Sequence, residues 1–261
     1  MMMMGKVEAR QNQILEILNN KKKISVEELS AVTGISLVTI RKDLTALEQK
    51  RLLKRERGCA VLNEDTVMTA RLAKNYLAKQ QIARKAATWV HDGDTILIES
   101  GSSCVLLADA LAKTGKSITV ITNSLFLAGY VTQQTDRAPV SRMRIILTGG
   151  DYLPDSECMV GPVARKALEN FHAKYFFSGT DGYSITGGFT GDSLLKAEVI
   201  RAMADHAETT VLLAESQKFS REGAIALFDH ASPAYLITDK MPEADVLASM
   251  QNRGIQIVLA D

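Results

Sequence analysis

The chain has 261 residues, of which 46% are hydrophobic and 23% charged, with a formal net charge of +1. That length holds one large domain or a small and a medium one, and the composition excludes a disordered or fibrous chain. The total charge gives no hint of a nucleic-acid partner, but its distribution does. Residues 1–58 carry 12 Lys or Arg against 7 Asp or Glu, net +5, and the remainder carries 19 against 23, net −4. A basic head on an acidic body is the asymmetry expected where only the head meets phosphates. Cys59, Cys104 and Cys158 match no disulfide framework and pair with no histidine at zinc-ligand spacing. They read as reduced thiols of a cytoplasmic protein, and neither a metal nor a cofactor is expected. Met1 to Met4 lead into a charged stretch without an h-region, so no signal peptide is expected, and no apolar run is long enough to span a membrane.

In chain order, Arg10 to Asn19 carries Ile14, Ile17 and Leu18 at helical spacing, and Lys21 to Lys23 follow as either a solvated turn or a phosphate contact. Ser25 with Glu28 three residues on is a capping box that opens a second helix, with Leu29 and Val32 as its buried positions. Thr33-Gly34-Ile35 is a tight turn. The next helix, residues 35–47, has two faces. Ile40, Leu44 and Leu47 form a stripe for burial, while Thr39, Arg41 and Lys42 point away from it near an N-terminus capped by Ser36. A polar, cationic first turn of this kind suits the DNA major groove. Leu52 to Leu62 reads as a hairpin with Leu53 and Val61 as apolar anchors and Lys54, Arg55 and Arg57 exposed. A basic hairpin after such a helix is a wing. The sequence therefore predicts a winged helix-turn-helix over 1–62 and a linker over 63–70.

A larger, mostly parallel α/β domain is predicted over 71–261, which makes the fold class α/β overall. A helix over Arg71–Val90 opens it. Apolar runs at 95–98, 118–121, 144–147, 175–177, 210–213, 235–237 and 255–258 then alternate with helices near 105–113, 124–132, 162–170, 192–206 and 244–252. Sheets of this kind bind ligands beyond the carboxyl ends of their strands. Five of those ends are polar here. Glu99-Ser100-Gly101-Ser102-Ser103 offers small residues and a helix N-terminus to an anion. Thr122-Asn123, Thr148-Gly149-Gly150-Asp151, Ser178 to Gly182 with Asp181, and Glu215 to Phe219 with Lys218 are the others.

These motifs resemble the DeoR family of bacterial transcriptional regulators. Val38 to Leu44, Leu47, Leu53-Lys54-Arg55 and Gly58-Cys59-Ala60 are similar to its N-terminal signature. The family's usual Arg-Arg is Arg41-Lys42 here, and its His-Gly-Gly-Ala is Arg57-Gly58-Cys59-Ala60. Glu99 to Ser103, Thr122-Asn123, Gly149-Gly150, Gly161, Gly179 to Gly182, Glu198 and Ser216 to Phe219 align with its sensor domain, which is similar to ribose-5-phosphate isomerase. Glu99 stands where Asp is common, and Glu215-Ser216-Gln217-Lys218 replaces Asp-x-Ser-Lys.

The resemblance implies a DNA-binding regulator, a repressor of carbohydrate-metabolism genes controlled by a phosphorylated sugar-like effector. Ser36, Thr39, Arg41, Lys42, Arg55 and Arg57 are the expected contacts to a double-stranded operator. Glu99, Gly101, Ser102, Ser103, Asn123, Asp181, Gly182, Glu198 and Lys218 are the expected effector contacts. A homodimer or homotetramer is the default for such a head, with no membrane partner. The alternative is a sugar-phosphate isomerase with a DNA-binding head. Against catalysis, such isomerases carry a Lys-Gly-Gly-Gly-Gly loop and an Asp-Gly-Ala-Asp-Glu run, and this chain keeps only Asp181-Gly182 of them.

Overall fold

A computed structural model describes residues 6–135, 142–228 and 233–260. Met1 to Met4 lie outside the described residues. The chain divides into two compact units, one running to Leu77 and one beginning at Ala78. The first contains α1 (Lys6–Lys21), β1 (Lys23–Ser25), α2 (Val26–Thr33), α3 (Leu37–Gln49), β2 (Leu53–Glu56), β3 (Cys59–Leu62) and α4 (Val67–Ala73). Its strands form one antiparallel sheet in the order β1-β3-β2. Ile14, Leu15 and Leu18 of α1, Leu29 of α2, and Ile40, Leu44 and Leu47 of α3 are all at most 1% exposed. Each contributes about 1.5–3 kcal/mol by leaving water. The fold is a winged helix-turn-helix, as the periodicity predicts.

The hairpin turn between β2 and β3 is the two residues Arg57 and Gly58, with φ of 44° and 82°. Positive φ at both central positions is the turn whose twist matches the flanking strands.

Five local expectations need correction. Val32 is 57% exposed. Val26 and Leu29 define the buried face of α2, and Val32, a further three residues on, has rotated off it. Val61 is only half-buried, and Leu53 faces Leu62 instead, so Ala60 and Leu62 are the inward residues of β3. Only half of the capping box forms: Ser25 Oγ accepts from the Glu28 amide at 3.0 Å, while the Glu28 carboxylate turns to Lys21. Finally, the expected linker over 63–70 is helical from Val67 onward. α4 carries a reciprocal Thr66–Thr69 cap and buries Met68, Thr69, Leu72 and Ala73. The predicted single helix from Arg71 is broken at Asn75, whose φ of 52° no helix continues through.

The second unit takes up the chain within α5 (Tyr76–Ala87). It continues through β4 (Thr95–Ile98), α6 (Ser102–Ala112), β5 (Thr119–Thr122), α7 (Leu125–Thr135), β6 (Arg144–Leu147), β7 (Asp151–Leu153), β8 (Cys158–Val160), α8 (Gly161–Leu168), β9 (Ala173–Ser178), β10 (Gly182–Ser184), β11 (Gly188–Gly191), α9 (Leu194–Asp205), β12 (Ala207–Leu213), β13 (Ile225–Ala226), β14 (Tyr235–Thr238), α10 (Ala244–Asn252) and β15 (Gln256–Leu259). Seven strands, each matching a predicted apolar run, form one parallel sheet in the order β15-β14-β12-β9-β4-β5-β6. Leu97, Ile121 and Phe176 are register partners and pack with Val199, Ile200 and Met203 of α9. The β7–β8 hairpin and the small sheet β10-β11-β13 are additions that the alternation of runs does not reveal.

The strand order fixes where a ligand would sit. From β4 the chain winds outward to β5 and β6, then returns to β9 on the other side of β4. The winding reverses between β4 and β9, so their carboxyl ends frame the crevice of the sheet.

Candidate functional site

In the first unit the N-terminal turn of α3 is built by Ser36. Its Oγ accepts from the Thr39 amide at 3.3 Å and shares a 2.9 Å bond with the Thr39 hydroxyl. Thr39 is half-buried, while Arg41 and Lys42 are exposed. Arg57 stands at the exposed hairpin turn. Arg41, Lys42 and Arg57 have no carboxylate partner among the described residues, whereas Lys21, Lys22, Lys23 and Lys54 are paired with Glu28, Glu64, Glu56 and Asp65. Lys21 to Lys23 are thus spent on local ion pairs, in keeping with a solvated turn. Arg55 behaves differently from its neighbours. Its Nε donates to Glu48 Oε2 at 2.8 Å and its Nη1 to Thr45 Oγ1 at 3.0 Å, so it lies along α3. Between α3 and the hairpin is a groove of about 300 Å³ lined by Arg41, Glu48, Arg55, Arg57 and Cys59 among others.

What orients α3 was not visible in its polar face. Asp43 is 2% exposed and accepts from Arg10 of α1 through both oxygens, one bond at 2.9 Å, with Gln11 at 3.5 Å. The Asp43 bond raises the Arg10 guanidinium above its ordinary value. Asp43 lies at i+3 from Ile40, on the buried stripe itself, and a carboxylate on a buried stripe must bring its partner. That was the available signal.

In the second unit, Glu99, Asn123 and Gly179 each follow a strand end or lie just past one. Ile98 is in register with both Thr122 and Phe177. Glu99 is 2% exposed. It accepts from Ser100 Oγ at 3.0 Å and the Gly179 amide at 3.3 Å, and faces Lys196 Nζ at 3.3 Å. A Cβ on Gly101 would lie 2.8 Å from Glu99 Oε2, so the loop can close on that carboxylate only with glycine there. Gly101 ends at α6, whose first residues Ser102 and Ser103 have no side-chain cap above them. Asp181 stands 3.9 Å from Lys218. Gly182 is required by contact, because a Cβ would come within 2.3 Å of the Arg221 carbonyl.

Asn123 is 1% exposed. Its Nδ2 donates to the Met159 carbonyl at 3.0 Å, which fixes the amide, and its Oδ1 is buried with no partner. Such orphaned acceptors are rare and call for an explanation.

The structure thus gathers Glu99, Gly101, Ser102, Ser103, Asn123, Asp181, Gly182 and Lys218 on one end of one sheet. It does not bring Glu198 there. Glu198 faces Arg165 of α8 at 3.6 Å and is 37% exposed. Its neighbour Lys196, two residues earlier and on a different face of α9, is the residue that reaches the cluster. A second missed residue is Lys79 of α5, buried against Glu215 at 3.5 Å just before the loop that carries Lys218. Lys79 falls at helical spacing with Ile82, Ala83 and Ala86, the same signal as Asp43.

The three cysteines are unpaired. Burial pushes the Cys104 thiol well above its ordinary value, with the Glu99 charge adding to the effect. Burial also raises Cys158, partly offset by a bond with Ser100. Both are protonated packing groups rather than nucleophiles. No group of three or more metal-ligating side chains occurs among the described residues, and no helix among them is long and apolar enough to cross a membrane.

Comparison with known proteins agrees with both halves of this geometry. Residues 10–66 match the DeoR-like helix-turn-helix domain and residues 74–240 the DeoR C terminal sensor domain. The HTH-type transcriptional regulator GolR of Listeria innocua is 30% identical over 97% of this chain and 98% of its own length. The L-fucose operon activator of Haemophilus influenzae is 28% identical over 96% of this chain and 99% of its own. The glycerol-3-phosphate regulon repressor of Escherichia coli is 26% identical over 96% and 98%. Among solved structures, ribose 5-phosphate isomerase A of Methanocaldococcus jannaschii has a TM-score of 0.41 and 16% identity over 56% of this chain and 55% of its own. With a matching helix-turn-helix, a matching sensor domain and a relative aligned from end to end, the chain belongs to the DeoR family of transcriptional regulators.

Proposed function

We propose that this regulator is a repressor of carbohydrate-metabolism genes whose grip on DNA is set by a phosphorylated, sugar-like effector. It would work in the cytoplasm as a homodimer or homotetramer. In the head, Thr39 and Arg41 reach base edges, and Ser36, Lys42 and Arg57 hold phosphates. The unpaired state of Arg41, Lys42 and Arg57 supports this, because a cation already neutralised by a carboxylate releases no counterion from DNA. Arg55 leaves the expected set of phosphate contacts and becomes a brace between wing and helix. Replacing Arg41 by Ala should weaken operator binding about 10- to 100-fold and relax one base position. Operator binding undiminished in that variant, measured by fluorescence anisotropy, would remove Arg41 from the reading surface.

In the sensor, the phosphate docks on the N-terminus of α6 at Ser102 and Ser103, where free backbone donors and the helix dipole favour an anion. Asn123, Asp181 and Lys218 contact the remainder, with Gly101 and Gly182 allowing close approach. Glu99, held by Lys196, supports the loop from beneath. The single observation that carries this reading is Asn123 Oδ1, a fixed, buried acceptor just past the carboxyl end of β5, the neighbour of β4, that a ligand hydroxyl would satisfy. Glu198 has no part in it. A ligand that binds only the native protein raises its melting temperature. Screening sugar monophosphates by thermal shift should find one that stabilises the wild type and not Ser102→Glu, which puts a carboxylate where the phosphate docks. Equal stabilisation of both would refute the placement.

A further inference from the structure

We propose that Glu48 sets the DNA specificity of this protein by holding Arg55 out of the phosphate field. Glu48 lies near the C-terminal end of α3, on the wall of the groove between that helix and the wing. Its two oxygens do two jobs. Oε1 accepts from the Arg55 backbone amide at 2.9 Å, and Oε2 accepts from Arg55 Nε at 2.8 Å. Thr45, one turn earlier, accepts from Arg55 Nη1 at 3.0 Å. The guanidinium is thereby laid along the helix, and β2 is clamped to it by a main-chain bond.

This arrangement has two consequences. The groove's other two cations, Arg41 of the helix and Arg57 of the wing, then stand on one fixed frame. The groove also contains a carboxylate in the midst of three arginines, which makes it a poor general anion site. Non-specific affinity for duplex DNA comes from the number of phosphates a protein neutralises, while specificity comes from base contacts made in register. Subtracting one mobile arginine and fixing the geometry of the others therefore lowers binding to random DNA more than binding to the operator. Glu48 is a positioning residue: it touches no base, and its effect runs through Arg55.

The inference rests on α3 and the wing facing DNA, and the experiment separates the two. Full-length protein is titrated over a range of salt with two probes: a duplex selected by the wild type from a random pool, and a scrambled duplex of equal length. In Glu48→Ala, Arg55 is released. Affinity for the scrambled duplex should rise about 3- to 10-fold, the slope of log affinity against log salt should steepen by about one phosphate equivalent, and the ratio of selected to scrambled affinity should fall about 10-fold. Arg55→Ala alone should leave the salt slope at the wild-type value. Glu48→Ala/Arg55→Ala should return the slope to the wild-type value, which a simple loss of negative charge at the interface would not do. Glu48 is half-buried, and an unchanged melting temperature verifies that the variants fold. A Glu48→Ala protein with wild-type slope and wild-type specificity ratio overturns the proposal. So does a double variant that keeps the steepened slope. If Arg41→Ala is also without effect, the failure lies with the DNA-facing surface; if Arg41→Ala loses binding while Glu48→Ala does not respond, it lies with Glu48 alone.

Discussion

Replacing Asp43 by Ala tests whether a single carboxylate holds the reading helix to its domain. Asp43 is 2% exposed, and the Arg10 side chain 23%. Removing one partner of a buried pair costs roughly 3–5 kcal/mol. Here Arg10 regains some water, and Gln11 loses only a long bond, so the expected cost is about 2–3 kcal/mol. Trp89 is the sole tryptophan, and it packs against Tyr175 and Tyr235 in the second unit. Its fluorescence therefore reports that unit, while far-UV circular dichroism also reports α1 to α3. With a urea dependence of about 1–3 kcal/mol per molar, the head should unfold about 1–2 M earlier in Asp43→Ala. The dichroism transition should then split, its early part lying below an unmoved fluorescence transition. Asp43→Asn, which keeps an acceptor for Arg10, should lose about half as much. Dichroism and fluorescence transitions that both stay at their wild-type midpoints would show that the pair does not anchor α3. A common shift of both would place the effect elsewhere than in the head.

Asp94 gives a pH signature in the second unit. Burial alone would raise its carboxyl, but the His91 amide and the Lys174 ammonium, 3.0 Å away, outweigh this and hold it below the ordinary value. A depressed carboxylate contributes stability above its unfolded pKa that disappears as pH falls through the folded one. Asp94→Asn should therefore melt a few degrees below wild type at pH 7, with the gap closing below about pH 4; a gap constant with pH contradicts the assignment. Lys79→Met should lower the fluorescence transition sharply by stranding Glu215, whereas Lys79→Met/Glu215→Leu should recover most of the loss. A double variant no more stable than the single one would show that the pair is not the cause.

The repetitive parts of this fold were legible because their physics is local and periodic. The inner strands of the large sheet are mostly buried and read as short apolar runs, the two edge strands β6 and β15 are only half-buried yet keep an apolar centre, and the helices between them are spaced as parallel connections require. The Ser36 cap and the short hairpin after α3 follow from residues close together in the chain. What escaped is pairing at a distance. Asp43 and Lys79 sit at stripe positions where a charge demands an opposite one, and periodicity locates that demand. It does not say that the answers are Arg10, in another helix, and Glu215, far along the chain. Lys196 escaped for the same reason, since Glu99 and α9 meet only once the sheet has reversed its winding. The α4 helix escaped because its polar Thr66–Thr69 cap resembles a loop until the cap is seen to close. Glu198 is expected from the family resemblance alone, and in the structure it faces Arg165 of α8.

The wing tip carries a cost of its own. Arg57 holds a backbone conformation that a side chain with a Cβ adopts only against about 1–2 kcal/mol of steric resistance. Glycine or asparagine would relax that turn and make a sturdier protein, but would surrender a cation at the very tip that the fold pushes outward. Durability and grip are therefore in direct competition at one residue. A screen that selects only for heat tolerance will erode this regulator's hold on its target from that point first.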